Sequence, residues 1–398
     1  MILLCLVGLA IGASTATWAA FSASTQSSGN TFSAASSFCL GSALNPFWLS
    51  GFEEGINPAQ PLYDAALAAS ADSAVKRSGS YSARLDVASG ASGYIAKAAV
   101  SATVTLRLAM RFASLPASDV TSVIGATANT GSSLALGYRA SDQKLTLRWG
   151  TATQEVSSTA ISAGTWYVLD LRVSAGANPR TADWRIDGVT QPAASSAEAG
   201  GLVAYIGPGT TTATDVFSAN FDDIIATTSG ADYPIGAGSV LPLQVDGVGT
   251  HNNSGNFADD DGTAIDANSW TRIDEVPISS TADHVRQTSA SSTSYLDFSF
   301  ANPSGSCIKA VNAILGYTSA GNPSNNGRTS IYTDTTERVV YSGDMSETSL
   351  SYRTATIAPS GASWTQAQVD ALTARIGYST DVNPVPQWES LMLVYESQ

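Results

Sequence analysis

Val104-Thr105-Leu106-Arg107-Leu108-Ala109-Met110 carries an apolar side chain at every second position. Successive side chains of a β-strand point to opposite faces, so this period argues a strand with one face on a core. The pattern recurs downstream. Leu145, Leu147 and Trp149 alternate with Thr146 and Arg148, and Tyr167, Leu169, Leu171 and Val173 alternate with Val168, Asp170 and Arg172. Trp184 and Ile186 follow, and Asp187-Gly188 reads as a tight hairpin turn. From Gly51 to about Thr228 the chain is a succession of such runs with turn signals between them, which predicts an antiparallel β-sandwich.

Composition suits that class. The chain has 398 residues, enough for two or three domains at about 150 residues each. Charged residues are 13%, half of the roughly 25% usual in soluble domains, so Ser and Thr must cover the exposed strand faces. Lys and Arg number 19 against 33 Asp and Glu, a net charge of −14. Phosphate contacts need cations, so nucleic acid is not an expected partner, nor is an anionic membrane surface. Two histidines and three cysteines are too few for most multi-His zinc sites or a Cys-rich scaffold.

Ile2 to Ala13 is an uncharged apolar run of twelve residues, too short to span a bilayer, which needs about 20. Small residues follow at Ser14-Thr15-Ala16 and Thr17-Trp18-Ala19, so residues 1–19 read as a signal-peptide-like segment, although no Lys or Arg precedes the run. Export, with no stable membrane span after processing, is the expectation. Residues 20–50 are then a linker or N-terminal strand. Cys39 and Cys307 would sit where disulfides persist, and are candidates to pair with each other.

Beyond residues 51–228, Tyr233-Pro234-Ile235-Gly236-Ala237-Gly238 reads as a joint, with 229–250 as a linker. A second block, 251–398, follows. Its predicted strands include Tyr295 to Phe300, Val311 to Leu315, Ser330 to Tyr332, Arg338 to Tyr341 and Leu391 to Tyr395. One helix is predicted over Thr365 to Ile376, with Ser363 as cap and Gln366 completing a capping box. The expected fold is mainly β: two antiparallel β-sandwich domains of jelly-roll type, with one short helix near the C-terminus.

Three resemblances add to this reading. Gly51-Phe52-Glu53-Glu54-Gly55, Lys76-Arg77-Ser78-Gly79-Ser80-Tyr81-Ser82, Gly164-Thr165-Trp166-Tyr167, Trp184-Arg185-Ile186-Asp187-Gly188-Val189 and Phe221-Asp222-Asp223-Ile224 occur in an order that resembles concanavalin A-like (LamG-type) lectin/glucanase sandwiches. The second block is similar to β domains of phage virion and bacterial surface proteins, through Tyr233-Pro234-Ile235-Gly236, Asp274-Glu275-Val276-Pro277 and Trp364-Thr365-Gln366-Ala367. Ala16-Thr17-Trp18-Ala19-Ala20-Phe21-Ser22 with Gly29-Asn30-Thr31-Phe32 resembles the leader and first strand of camelysin/TasA-like secreted proteins.

The lectin resemblance implies a structural calcium ion held by Glu53 and Asp223 or Asp222, with carbonyls near Lys76 and Gly79. Asp259-Asp260-Asp261-Gly262 does not follow the EF-hand pattern and reads as a solvated acidic turn. Glucanases of the same class carry a Glu-x-Asp-x-x-Glu strand, which this chain lacks; Asp274-Glu275 would project to opposite faces of a strand. Both His251 and His284 lie outside the first sandwich, so no Ser-His-Asp triad forms within it. Catalysis is therefore not expected. Among the aromatics, Trp166 and Trp184 sit in strand patterns and read as core, whereas Tyr138, beside Arg139 and Asp142, lies near a turn and is the candidate ligand-binding trio. The expected function is a secreted, non-catalytic surface or adhesion protein whose first sandwich binds a glycan or a surface protein. The alternatives are a phage virion (tail or fibre accessory) protein and a subunit of an extracellular homo-oligomer or filament.

Overall fold

The computed structural model describes residues 26–27, 30–31, 42–56, 62–150, 152, 154–198, 200–210, 216–278, 283–303, 307–319, 326–345, 347–379 and 386–398. The chain divides into two compact units, Met1–Phe38 and Cys39–Gln398. In the first, the described residues are an antiparallel pair, Gln26–Ser27 with Asn30–Thr31. The signal-like segment 1–19 and Cys39 lie outside the described residues.

The second unit is built from antiparallel sheets, as the alternating runs predict. Its N-terminal half stacks two of them. A seven-stranded sheet contains Gly93–Ser101, Val120–Ala128, Leu134–Arg139, Lys144–Trp149, Glu155–Ala160 and Val203–Thr210, with Ala65–Leu67 at one edge. A nine-stranded sheet is centred on Thr103–Ser114 between Tyr167–Ser174 and Phe217–Thr227. The core between them takes Leu106, Leu108, Phe112, Leu145, Leu147, Trp149, Leu169 and Trp184. Asp187, at φ 49°, and Gly188, at φ 78°, form the expected hairpin turn between Arg180–Ile186 and Val189–Thr190.

The C-terminal half is one continuous ten-stranded sheet that folds over on itself through Ser239–Val248. The first part of that strand pairs with Pro386–Ser397 and the last part with Tyr295–Phe300, with a bulge between Val245 and Gly247. A bulge bends its strand, which lets one strand serve two layers. This corrects the reading of residues 229–250 as a linker. The stretch holds a short 3-10 turn, Gly230–Asp232, and then the strand that joins both layers.

The two halves share a core. In Pro386–Ser397, Leu391, Leu393 and Tyr395 pack into the C-terminal core, while Met392 and Val394 pack into the N-terminal one. Ile308–Ser319 divides in the same way, with Ala310 and Ile314 on the N-terminal side and Val311, Ala313 and Leu315 on the other. A strand buried on both faces loses the polar alternation of a half-exposed one, which is why Leu391-Met392-Leu393-Val394-Tyr395 is apolar throughout. The same cover explains the opening heptad. Thr105, Arg107 and Ala109, expected on the solvent face, are fully buried.

The predicted helix is shorter than its periodicity implies. The α-helix is Gln366–Asp370, capped by Thr365 rather than Ser363, with the box closed by Gln368 instead of Gln366. Thr373–Gly377 is a strand paired with Tyr295–Phe300 and Asn326–Thr333. Leu372 and Ile376 reach the core, so their apolar spacing satisfies a turn and a strand as well as it would a helix.

Candidate functional site

The sequence Gly51-Phe52-Glu53-Glu54-Gly55 makes a sharp turn. Phe52 takes φ 63° and Gly55 φ 81°; Phe52 N–H donates to Ser50 Oγ at 3.0 Å and Gly55 N–H to Phe52 O at 3.0 Å. The turn sends the two glutamates to different partners. Glu54 accepts from the hydroxyls of Ser50 and Tyr63. Glu53 Oε1 accepts from the backbone N–H groups of Ser80 at 2.7 Å and Tyr81 at 3.3 Å, while Glu53 Oε2 is buried with no hydrogen-bond partner. Gly79, at φ 60°, leaves the room: a Cβ there would collide with Glu53 Oε1.

Asp222 and Asp223 face the same loop from the other side. Neighbours on a regular strand point to opposite faces, but Asp223 has φ 55° and the register with Thr103–Ser114 shifts between Asp222 and Ile225. Asp222 Oδ2 accepts from Arg77 N–H at 2.8 Å and Ser78 N–H at 3.2 Å. Asp223 accepts from the Arg77 guanidinium, the Ser78 hydroxyl and, at 2.6 Å, Val240 N–H. Arg77 also donates to Gly238 O at 2.7 Å, so this loop ties the first half to the joining strand. A buried ion pair, Arg107 with Glu396, closes the same seam, and both side chains are inaccessible. Burial raises these acids: Glu53 and Glu396 to about 7, and Asp222 to about 8 with help from the adjacent Asp223 charge.

Shifted acids often mark catalytic sites. Here Glu53, Glu54, Asp222, Asp223 and Glu396 are all inaccessible, so no substrate atom reaches them. Among the described residues, no three His, Cys, Asp or Glu side chains group to hold a metal ion. Calcium also takes backbone oxygens, and the donors here are oxygens only. The loop turns N–H groups, not the expected carbonyls, toward Glu53 and Asp222. Asp223 is already matched by Arg77 and Ser78. Glu53 Oε2 is the acceptor of this loop left without a partner, whereas Asp222 already accepts from the N–H groups of Arg77, Ser78 and Asp223.

Two other expectations change. Tyr138 is 2% exposed and lies edge-on to Phe112, at 5.4 Å between rings, so it belongs to the core and not to a ligand. It shares the inward parity of Leu134 and Leu136. Arg139 and Asp142 stay at the surface, bound to each other as an ion pair. Asp259 is buried, accepts from Ser269 Oγ at 3.1 Å and pairs with Arg272, so the acidic turn is solvated only beyond it. Asp274 and Glu275 lie outside any strand. Trp184 is core, as expected, whereas Trp166 is half-buried. Cys307 is disulfide-bonded; Cys39 lies outside the described residues.

The outer face of the seven-stranded sheet carries a feature the sequence reading missed. Gly207 pairs with Gly125, Gly125 with Ala135, and Ala135 with Arg148, a small-residue row ending in a cation. Two positions from Gly207 on the same strand stand Tyr205, paired with Ala98, and Gly209, paired with Tyr94. Tyr205 is 45% exposed. Gly207 is itself covered, since a Cβ there would meet Ile95 O at 2.1 Å, so the open floor is Gly125 and Ala135, bordered by Tyr205 on one side and by Arg148 on the other.

No family model matches the chain, and no curated protein matches it. Solved structures similar to parts of it include "Cellulose induced protein, Cip1", 17% identical, covering 46% of this chain and 97% of that one at a TM-score of 0.37. The N-terminal CBM22-1-CBM22-2 tandem domain of Paenibacillus barcinonensis Xyn10C is 10% identical and covers 90% of this chain and 99% of that one, at 0.27. Trypanosoma rangeli sialidase is 12% identical, with 44% of this chain and 29% of that one covered, at 0.33.

Proposed function

We propose that the chain is an extracellular, non-catalytic protein that binds neutral glycans on the outer face of the seven-stranded sheet. The observation that carries this reading is the partly exposed Gly125–Ala135–Arg148 row beside Tyr205. A floor of Gly125 and Ala135 lets a flat sugar ring approach the backbone. A tyrosine offers an apolar face with a polar tip, and arginine offers planar donors to hydroxyls. The net charge of −14 repels polyanions and leaves neutral chains as the favoured ligands. The histidines are engaged elsewhere: His251 Nδ1 accepts from Asp297 N–H at 3.2 Å, and His284 Nε2 lies 2.9 Å from Gln387 Nε2. A glycan array tests the reading. Retention on neutral polysaccharides, weakened about tenfold or more by Tyr205→Ala, is the expected result, and a blank array refutes it.

In this reading a calcium ion, held by Glu53 and Asp222, neutralises the buried acids and fixes the loop at the seam. Gly79→Ala would push the Glu53 carboxylate off Ser80 and Tyr81. Calcium is expected to raise the melting temperature of the wild type by about 5 °C or more and to leave Gly79→Ala unmoved. Identical wild-type melts in calcium and in chelator would rule the ion out.

A further inference from the structure

The C-terminal half carries a cleft of about 370 Å³ lined by Ser292, Asn326, Arg328, Glu337, Ser342 and Tyr378. That volume lies within the roughly 300–1,000 Å³ of small-molecule sites. Its floor is held rigid from below. Arg375 forms a two-point ion pair with Asp297, at 2.6 and 2.8 Å, and stacks 3.5 Å over Tyr295 and 4.6 Å over Tyr332. Arg375 Nη1 also donates to the hydroxyls of Tyr332 at 3.1 Å and Tyr378 at 3.2 Å. The rings of Tyr295 and Tyr378 lie 5.7 Å apart.

Tyr378 itself has φ 59°, a conformation bulky residues rarely take. Its N–H donates to Ser294 O at 2.9 Å, and the preceding Gly377 fits only without a Cβ, which would meet Ser294 O at 2.5 Å. A strained aromatic residue held by its surroundings at the rim of a cleft points to function. Beside it, Arg328 Nη2 meets Glu337 at 2.6 Å, and Ser330 Oγ donates to the same carboxylate at 2.7 Å. Both side chains stay about one third exposed, 35% and 30%. The Arg328 guanidinium also lies 5.9 Å over the Tyr378 ring, so the cleft offers a joined wall of aromatic ring and donor fork with Glu337 as acceptor, and each cation is matched by an anion.

We propose that this cleft binds one residue of a neutral hexose glycan, its ring against Tyr378 and its neighbouring hydroxyls on Arg328 and Glu337. The inference shares only its ligand class with the reading above. Its site lies on the other half of the molecule and is lost or kept independently.

The full chain is titrated calorimetrically with glucose and mannose hexasaccharides, with polygalacturonate as the charged comparison. In a Tyr205→Ala background, where the cleft is the site left, Tyr378→Ala is expected to weaken binding of a neutral hexasaccharide at least tenfold, and Ser342→Trp, which fills the cleft and leaves its floor intact, should do the same. Tyr378→Phe keeps the ring and should stay within about threefold of wild type. If Tyr378→Ala does not fold, Ser342→Trp decides. Cleft variants that bind like wild type while Tyr205→Ala loses binding would overturn the cleft and leave the first face standing. No neutral binding by the wild type would overturn both. Tighter binding of polygalacturonate than of either neutral sugar would overturn the assignment of a neutral ligand.

Discussion

Glu396→Ala is expected to destabilise the protein by about 3–5 kcal/mol, the usual result of breaking a fully buried ion pair. The charge left behind is Arg107, inaccessible to water and already short of partners at Nε and Nη1. Asp170, its register partner on Tyr167–Ser174, is itself committed to Gly236 N–H at 3.0 Å. The pair bridges 289 positions of sequence and is the polar centre of the seam between the halves. Replacing both residues with methionine should recover most of the loss, because removing two charges together spares the desolvation cost of the survivor. Urea unfolding at pH 8, above the value of about 7 to which burial lifts Glu396, measures both variants with the pair ionised. A Glu396→Ala variant within about 1 kcal/mol of wild type, far below the cost of a broken buried pair, would mean the halves do not pack through this contact.

The second large effect concerns pH. Burial lifts Glu53, Glu275 and Glu396 to about 7 and Asp222 to about 8, from ordinary values of 4.5 and 3.8. Between those limits the folded state holds protons that the unfolded state has released. Stability therefore falls as pH rises through that window, flat below about 4 and again above about 8. Each tenfold gain in proton affinity on folding is worth about 1.4 kcal/mol for a single group, so in chelator the melting temperature should be lower at pH 8 than at pH 5 by about 5–10 °C. Glu396→Gln should flatten part of the slope, and calcium should flatten the part due to Glu53 and Asp222. A melting temperature that rises from pH 5 to pH 8 in chelator would show that these acids are not buried as described.

Much of this architecture is legible in local pattern. The alternation of Val104 to Met110 and Tyr167 to Val173 identifies strands, and the Asp187-Gly188 pair identifies their turn. Parity alone does not say whether the second face is covered. Arg107 reads as outward because its cover, Glu396, comes from the far end of the chain. Joining strands are obscured for the same reason: Ser239–Val248 contains Pro242 and is flanked by Gly238 and Gly249, and its partners lie far along the chain, in Tyr295–Phe300 and Pro386–Ser397.

The carboxylate loop can be anticipated through Glu53, Asp222 and Asp223, because a motif order marks them. The bulge that turns both aspartates to one loop leaves no local sign. Tyr378, Arg328 and Glu337 are scattered across different strands and a loop, and nothing in their spacing announces that register brings them together. Tyr138 shows the opposite failure. Its parity with Leu134 and Leu136 already places it inside, a signal stronger than the nearby turn that argued for exposure.

Binding without bond-making is tested most directly with one sample. The purified full chain is incubated with a soluble neutral glucan, and complex formation and chain length of the sugar are followed together. The predicted result is a saturable complex, weakened by Tyr205→Ala or Tyr378→Ala, with the glucan recovered intact. Shortened glucan would contradict it, and so would a sugar that never leaves the free fraction.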